Sequence, residues 1–312
     1  MNLSHAYATP PSPDAAEIVL RTALDHGVTL FDTAALYGYG ANEELVGRVL
    51  KPHRARIVLA SKCGIFRDKT GSRAIDGRPD TLRRTCDDSL KRLQTDAIDL
   101  YYLHRMDTNV PIEESIGALA ELVREGKIRA IGVSEVSASS LRRAHAVHPV
   151  TAVQSEYSLW TRNPEIAVLD TCRDLGIAFV AFSPLARGFL CGTLRDPAAE
   201  LGPRDIRRAM PRFSPENFSR NLQLLEAYGQ IAGEVGCTWA QLALAWLLAK
   251  EPFIVPIPGT RYPAHVIENV GADGIRLTPL VVERLDALIN QHTVAGQRYN
   301  EKTSQEIDTE NF

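Results

Sequence analysis

Cysteine is scarce in this sequence. Its five copies among 312 residues (Cys63, Cys86, Cys172, Cys191, Cys237) are odd in number, far apart and never in a Cys-x-x-Cys pair. That argues against a disulfide framework or a zinc knuckle and fits a reducing cytoplasm. A charge excess of one sign is lacking as well: 35 basic against 38 acidic residues leave a net −3, and the charges are scattered. No nucleic-acid partner or anionic membrane surface is expected from such a balance, and the Arg-Arg pairs at 142–143 and 207–208 read as solvated faces. Long apolar runs are missing too, because the greasiest stretch, Trp239 to Ile257, is broken by Gln241, Lys250, Glu251 and Pro252, so no membrane span is expected. Met1 to Tyr7 lack the charged and apolar regions of a signal peptide. No Gly-x-Gly-x-x-Gly follows a strand pattern: Gly38-Tyr39-Gly40-Ala41-Asn42-Glu43 has the start and lacks the last glycine, which disfavours a dinucleotide-binding Rossmann domain. No metal site is expected, since His145 and His148, spaced i and i+3, have no third ligand in view.

What the chain does contain is 45% hydrophobic residues, enough for a large core, in a regular alternation of helical and strand patterns. Ser12 caps and Pro13 opens a first helix that stops at Gly27; Val28–Phe31 then reads as a strand delivering Asp32. Further strand-like runs end at Lys62, His104, Ser134, Gln154, Ser183 and Pro256, each preceded by a helical pattern. Helices are expected near 43–50, 79–93, 112–124, 139–146, 164–175, 217–235, 239–249, 263–271 and 279–290, with a long connection at 184–215. Alternation of this kind specifies a parallel sheet with right-handed crossovers, closing into a (β/α)8 TIM barrel over a single domain, 1–312. Only seven strand-helix units are present where the closed barrel needs eight. The expectation is an open seam between the strand ending in Asp32 and the strand 253–257.

In such barrels the carboxyl ends of the strands carry the chemistry. Three neighbouring strands bring Asp32, Lys62 and His104 to one mouth, with Tyr37 above the first. A tyrosine with an unperturbed pKa of about 10 is a weak acid, and a nearby cation such as Lys62, held by Asp32, would favour its phenolate.

The stretch Phe31-Asp32-Thr33-Ala34-Ala35-Leu36-Tyr37-Gly38, with Ala60-Ser61-Lys62 and Leu103-His104, resembles the aldo-keto reductase family, bacterial members related to potassium-channel β-subunits among them. The resemblance runs from residue 1 to the tail. It implies a catalytic tetrad of Asp32, Tyr37, Lys62 and His104, with Tyr37 as the general acid that protonates a carbonyl oxygen as hydride arrives. It implies NADP(H) as cofactor, with the carboxamide near Ser134, Glu135 and Gln154 and with Phe182 against the nicotinamide. Further cofactor contacts come from Ser183, Leu185, Arg187 and Gly188 and from the adenosine and 2′-phosphate segment Gly259, Thr260, Arg261, His265, Glu268 and Asn269. The implied partner is a small-molecule carbonyl substrate, the implied reaction its reduction to an alcohol in the cytoplasm, and the alternative a cofactor-binding regulator of the channel β-subunit type. Substrate choice would fall to the loops 64–78 and 186–215 and to the tail with Tyr299. Family members begin with a hairpin and a first strand, and Met1-Asn2-Leu3 aligns just after it, so a late start is expected here.

Overall fold

A computed structural model describes residues 2–7, 9–67 and 73–312. Seven parallel strands form one sheet in chain order: β1 (Leu30–Asp32), β2 (Val58–Cys63), β3 (Ile98–Leu103), β4 (Ile128–Ser134), β5 (Val150–Glu156), β6 (Ala178–Phe182) and β7 (Ile254–Ile257). The helices between them are α1 (Pro13–Asp25), which precedes β1, then α2 (Ala41–Leu50), α3 (Pro79–Leu93), α4 (Ile112–Arg124), α5 (Ala138–Val147) and α6 (Val168–Leu175). The fold is the parallel α/β barrel expected from the alternation.

Local chemistry sets the element ends. Ser12 Oγ accepts from the Ala15 amide at the start of α1, and Pro13 occupies the first turn, where no amide partner is needed. Gly126 and Gly176 follow α4 and α6 at φ +74° and +66°, a left-handed conformation that glycine adopts without steric cost. The helical stretch read as 217–235 is two helices, Pro215–Leu222 and Leu224–Val235. The long connection after β6 is built of short helical turns and held by aromatic packing: Trp160 stacks on Phe189 at 4.2 Å, and Phe213 and Phe218 join them.

Period two along each strand decides what faces the barrel axis. The register pairs Ala60 with Leu100, Leu100 with Ala130 and Ala152 with Ala178. Ala60, Leu100, Tyr102, Ala152 and Val180 form a small inner cluster, separate from the large outer core between sheet and helices. Tyr102 lies opposite Gly132, where a Cβ would come within 2.3 Å of its ring; the ring takes the space the glycine leaves. The same inward phase, continued towards the carboxyl ends, carries Asp32, Lys62, Ser134, Gln154, Glu156 and Phe182.

Among the described residues β1 pairs only with β2, and β7 only with β6. The sheet is thus open on one side, where the strand count placed the seam. Both edges are poor templates for further pairing: β1 has three residues, and β7 contains Pro256, which has no amide to donate. Val28 to Leu30 and Val255 to Ile257 line a cleft of about 1590 Å³ that continues to the barrel mouth. The apolar helix Trp239–Lys250 buries Ala240 to Leu247 against the sheet. No single helix among the described residues is long and apolar enough to cross a membrane.

Candidate active site

The loop after β1 folds back because Thr33 Oγ1 donates to Asn42 Oδ1 at 2.7 Å, and Asn42 Nδ2 in turn donates to Ser4 Oγ at 2.9 Å. A turn at Tyr37–Gly40, with Gly38 and Gly40 at φ +59° and +99°, aims the Tyr37 ring back over the barrel. Lys62 rises from inside β2 to meet it. Its ammonium donates to Asp32 Oδ1 and, at 2.8 Å, to the Thr33 carbonyl, and it sits 5.0 Å from the Tyr37 ring centroid. The other Asp32 oxygen, Oδ2, accepts from Gln154 Nε2 at 2.8 Å. Both carboxylate oxygens are therefore engaged, and Lys62 is fixed from two sides. His104, whose amide donates to the Cys63 carbonyl, packs edge-on to Tyr37 with ring centroids 6.0 Å apart. The structure thus brings together all four side chains expected at the mouth.

Electrostatics separate their protonation states. Burial works against the charged form of Lys62, but Asp32 and Tyr37 outweigh it and raise its pKa above 10.5, so it stays an ammonium at neutral pH. For Tyr37 burial dominates and raises the pKa above 10.0, while Lys62 pulls it down in part. Lys62 thus acts in the direction expected from the sequence, favouring the phenolate, while desolvation of the half-buried Tyr37 acts against it. His104 is held well below 6.5 by burial, with Arg105, Lys62, Arg73 and His5 adding to the effect. Its imidazole is neutral and carries a single N–H, suited to donate to an oxygen.

The remaining sequence-predicted residues line the same cleft: Ser134, Gln154, Phe182, Ser183, Leu185, Arg187 and Gly188 on one stretch, and Gly259, Thr260, Arg261, His265, Glu268 and Asn269 on the other. Ser183, Ala186, Arg187 and Gly188 all have positive φ, of +51°, +52°, +56° and +92°. A backbone so wound makes a concave surface suited to an anion, and strain at non-glycine positions is typical of functional loops. On the far stretch Thr260 Oγ1 accepts from the Tyr262 amide at 3.1 Å and lies 3.4 Å from His265 Nδ1. Arg261 donates to the Thr9 carbonyl at 3.2 Å and joins no ion pair among the described residues.

Sequence reading missed several participants. Glu156, at the inner end of β5, accepts from Arg187 at 2.5 Å and from Tyr299 OH at 3.3 Å and lies 3.2 Å from Arg298 Nε. Glu135 accepts from Arg298 and from the Glu156 amide, and Gln154 donates to Asp32. Beyond Tyr299 the tail is tied down by Arg73 to Glu306, by Asp308 accepting from the Ser137 amide and hydroxyl, and by Glu310 accepting from the Ala138 amide at the start of α5. The only sequence signal for this was an Arg-Tyr pair and several acids in a polar tail. Of the 207–208 pair, Arg208 is exposed as expected, donating to the Ala198, Leu201 and Gly202 carbonyls at the surface, whereas Arg207 is half-buried, pairs with Asp205 and donates to the Arg187 carbonyl.

Similarity to known proteins agrees with this geometry. Residues 1–290 match the description "Aldo/keto reductase family". A curated relative, "Probable aldo-keto reductase 1" of Glycine max, is 43% identical over 300 residues, 96% of this chain and 86% of that protein. Among solved structures, the glycerol dehydrogenase AKR11B4 from Gluconobacter oxydans superposes with a TM-score of 0.84 at 29% identity, covering 94% of this chain and 90% of that one. An aldo/keto reductase from Klebsiella pneumoniae, in complex with NADP and acetate, gives 0.70 at 30% identity over 92% and 89%. A chain that carries this barrel, this cluster at its mouth and these likenesses over nearly its whole length belongs to the aldo/keto reductase family and is an oxidoreductase.

Proposed function

We propose that the protein reduces aldehydes or ketones to alcohols with NADPH, and that Asp32, Tyr37, Lys62 and His104 carry the proton chemistry. The observation that supports this most is the buried Lys62 ammonium, bonded to Asp32 and the Thr33 carbonyl beside the Tyr37 ring. A carbonyl oxygen gains negative charge as its carbon is reduced, and a proton must reach it in the same step. Tyr37 holds that proton, and Lys62 stabilises the phenolate left behind. His104, neutral, donates its N–H to the same oxygen and fixes which face of the carbonyl is presented. Asp32 keeps Lys62 in place, and Gln154 keeps Asp32.

The donor set fits a dinucleotide phosphate. The wound backbone of 183–188 leaves the Leu185 and Arg187 amides for a pyrophosphate, Arg261 joins no carboxylate among the described residues and suits a 2′-phosphate, and Ser134 and Phe182 line the same cleft. Gly259, exposed and with the Asn2 side chain nearest its missing Cβ, permits close backbone approach there. When bound, the nicotinamide supplies the hydride. The Klebsiella relative was solved with NADP, which supports the same coenzyme here. The test is NADPH oxidation followed at 340 nm across a panel of aldehydes, ketones and sugars. Turnover on at least one class is expected. Tight NADPH binding with no carbonyl turned over would instead mark a coenzyme-binding regulator.

A further inference from the structure

The catalytic end of the cleft holds one cation that the proposed reduction does not use. Arg105 follows His104 at the end of β3, lines the cleft and is 9% exposed. Its Nη1 donates to the His104 carbonyl at 2.6 Å and to Ser134 Oγ at 3.2 Å. Its Nε is buried and has no hydrogen-bond partner among the described residues. Of the other cations around the mouth, Lys62 is matched by Asp32, Arg73 by Glu306, Arg187 by Glu156 and Arg298 by Glu135, while Arg212 donates to the Trp160 carbonyl and the Thr161 hydroxyl and does not line the cleft. Among the described residues Arg105 has no such match.

A guanidinium keeps its charge at any physiological pH, and a buried charge without a counter-ion is costly. Its two acceptors are neutral oxygens, which satisfy hydrogen bonds on Nη1 and leave the charge itself uncompensated. Its positive charge is felt by both reacting groups, since Arg105 lowers the pKa of His104 and opposes the rise at Tyr37. What would complete this environment is an anion brought in by the substrate, next to the carbonyl that Tyr37 and His104 address. A carboxylate suits the planar fork of an arginine better than any neutral group.

Resting on the reduction proposed above, we propose that Arg105 binds a carboxylate of the substrate, so that the enzyme favours oxo acids over neutral carbonyl compounds of the same length. Arg105 is then a specificity-determining residue, not a proton donor.

The test compares matched pairs, ω-oxo acids against alkanals of equal chain length, such as 4-oxobutanoate against butanal, at saturating NADPH and low ionic strength. The preferred oxo acid should exceed its neutral twin in kcat/KM by about ten- to a hundred-fold, the worth of a hydrogen bond to a charged group. Arg105→Met should remove that ratio, and Arg105→Lys should keep part of it, as a point charge without the fork. Equal specificity within every wild-type pair would overturn the inference. So would an Arg105→Met protein that loses both members of a pair by the same factor, which is what a merely structural role through the His104 carbonyl and Ser134 would give. Should Arg105→Met fail to fold by circular dichroism, the wild-type ratio and the Lys variant decide. Turnover of the alkanals, or of other members of the carbonyl panel, without preference for the acids defeats this inference alone; no turnover of the acids, the alkanals or any other member of the panel defeats the proposed reduction with it.

Discussion

Removing the charge of Glu156 without changing its shape tests the electrostatic account of the barrel mouth. The side chain is 4% exposed and lies between Arg187, Arg298 and Tyr299 OH. Burial alone would raise its pKa, but Arg187, Arg298 and Arg212 outweigh it and hold the carboxyl at about 2, against an ordinary 4.5. At 1.36 kcal/mol per unit, that difference corresponds to about 3 kcal/mol of stability at neutral pH. Losing one partner of a buried pair costs a similar ~3–5 kcal/mol. A chain of this length unfolds with an entropy of about 0.65 kcal/mol/K, so Glu156→Gln should lower Tm by about 5 °C at pH 7. Because the folded-state pKa is depressed, the contribution is fully present above pH 4.5 and is lost as pH falls towards about 2. Melts of wild type and variant by calorimetry should therefore converge over that interval. A gap below about 1 °C at pH 7, or one that persists unchanged at the acid end, would refute the reasoning.

Tyr37→Phe should bind NADPH within a few-fold of wild type by fluorescence titration yet reduce carbonyls roughly 10²- to 10⁴-fold more slowly, as expected for loss of a general acid; a fully active variant would remove Tyr37 from that role. Arg261→Ala should weaken NADPH by about ten- to a hundred-fold and leave NADH nearly unaffected, since only NADPH has the 2′-phosphate; equal losses would show that Arg261 does not read it. Gly132→Ala puts a Cβ 2.3 Å from the Tyr102 ring, and overpacking of about 1–3 kcal/mol should appear as a lower urea midpoint with an unchanged slope. With His104 held neutral and Tyr37 protonated, kcat for reduction should show no inflection near the ordinary histidine pKa of about 6.5; an inflection there would mean that His104 titrates in the working range.

Much of the fold was written locally. Apolar runs ending at Lys62, His104 and Ser134 became β2, β3 and β4 within a residue or so, because burial on both faces of a parallel strand leaves a plain signal. Ser12 with Pro13 marked a helix start through chemistry confined to one turn. The four side chains at the mouth were readable for the same reason: Asp32, Lys62 and His104 lie at or just past strand ends, and Tyr37 follows in the turn after β1. What escaped depends on partners far away in the chain. Nothing near Glu135 or Glu156 announces Arg298, and nothing near Arg207 shows that its guanidinium reaches the Arg187 carbonyl. The balance at Tyr37 was equally hidden, since the lysine can be read from sequence while the depth of burial that overrides it cannot.

The anchoring of the tail has a kinetic consequence. Neighbouring βα units pair in chain order, so the barrel is assembled from contacts between successive segments. The site is finished by contacts of another kind: Ser137 to Asp308 spans 171 positions and Arg73 to Glu306 spans 233. Closure over such separations is entropically late, and residues 298–310 have little packing of their own to form earlier. A refolding chain should therefore recover its far-ultraviolet dichroism before the ring of charges around Glu156 is complete. Competence for catalysis would lag the regain of helix and sheet, and the lag would lengthen in variants of Asp308 or Glu310 that leave the barrel itself untouched.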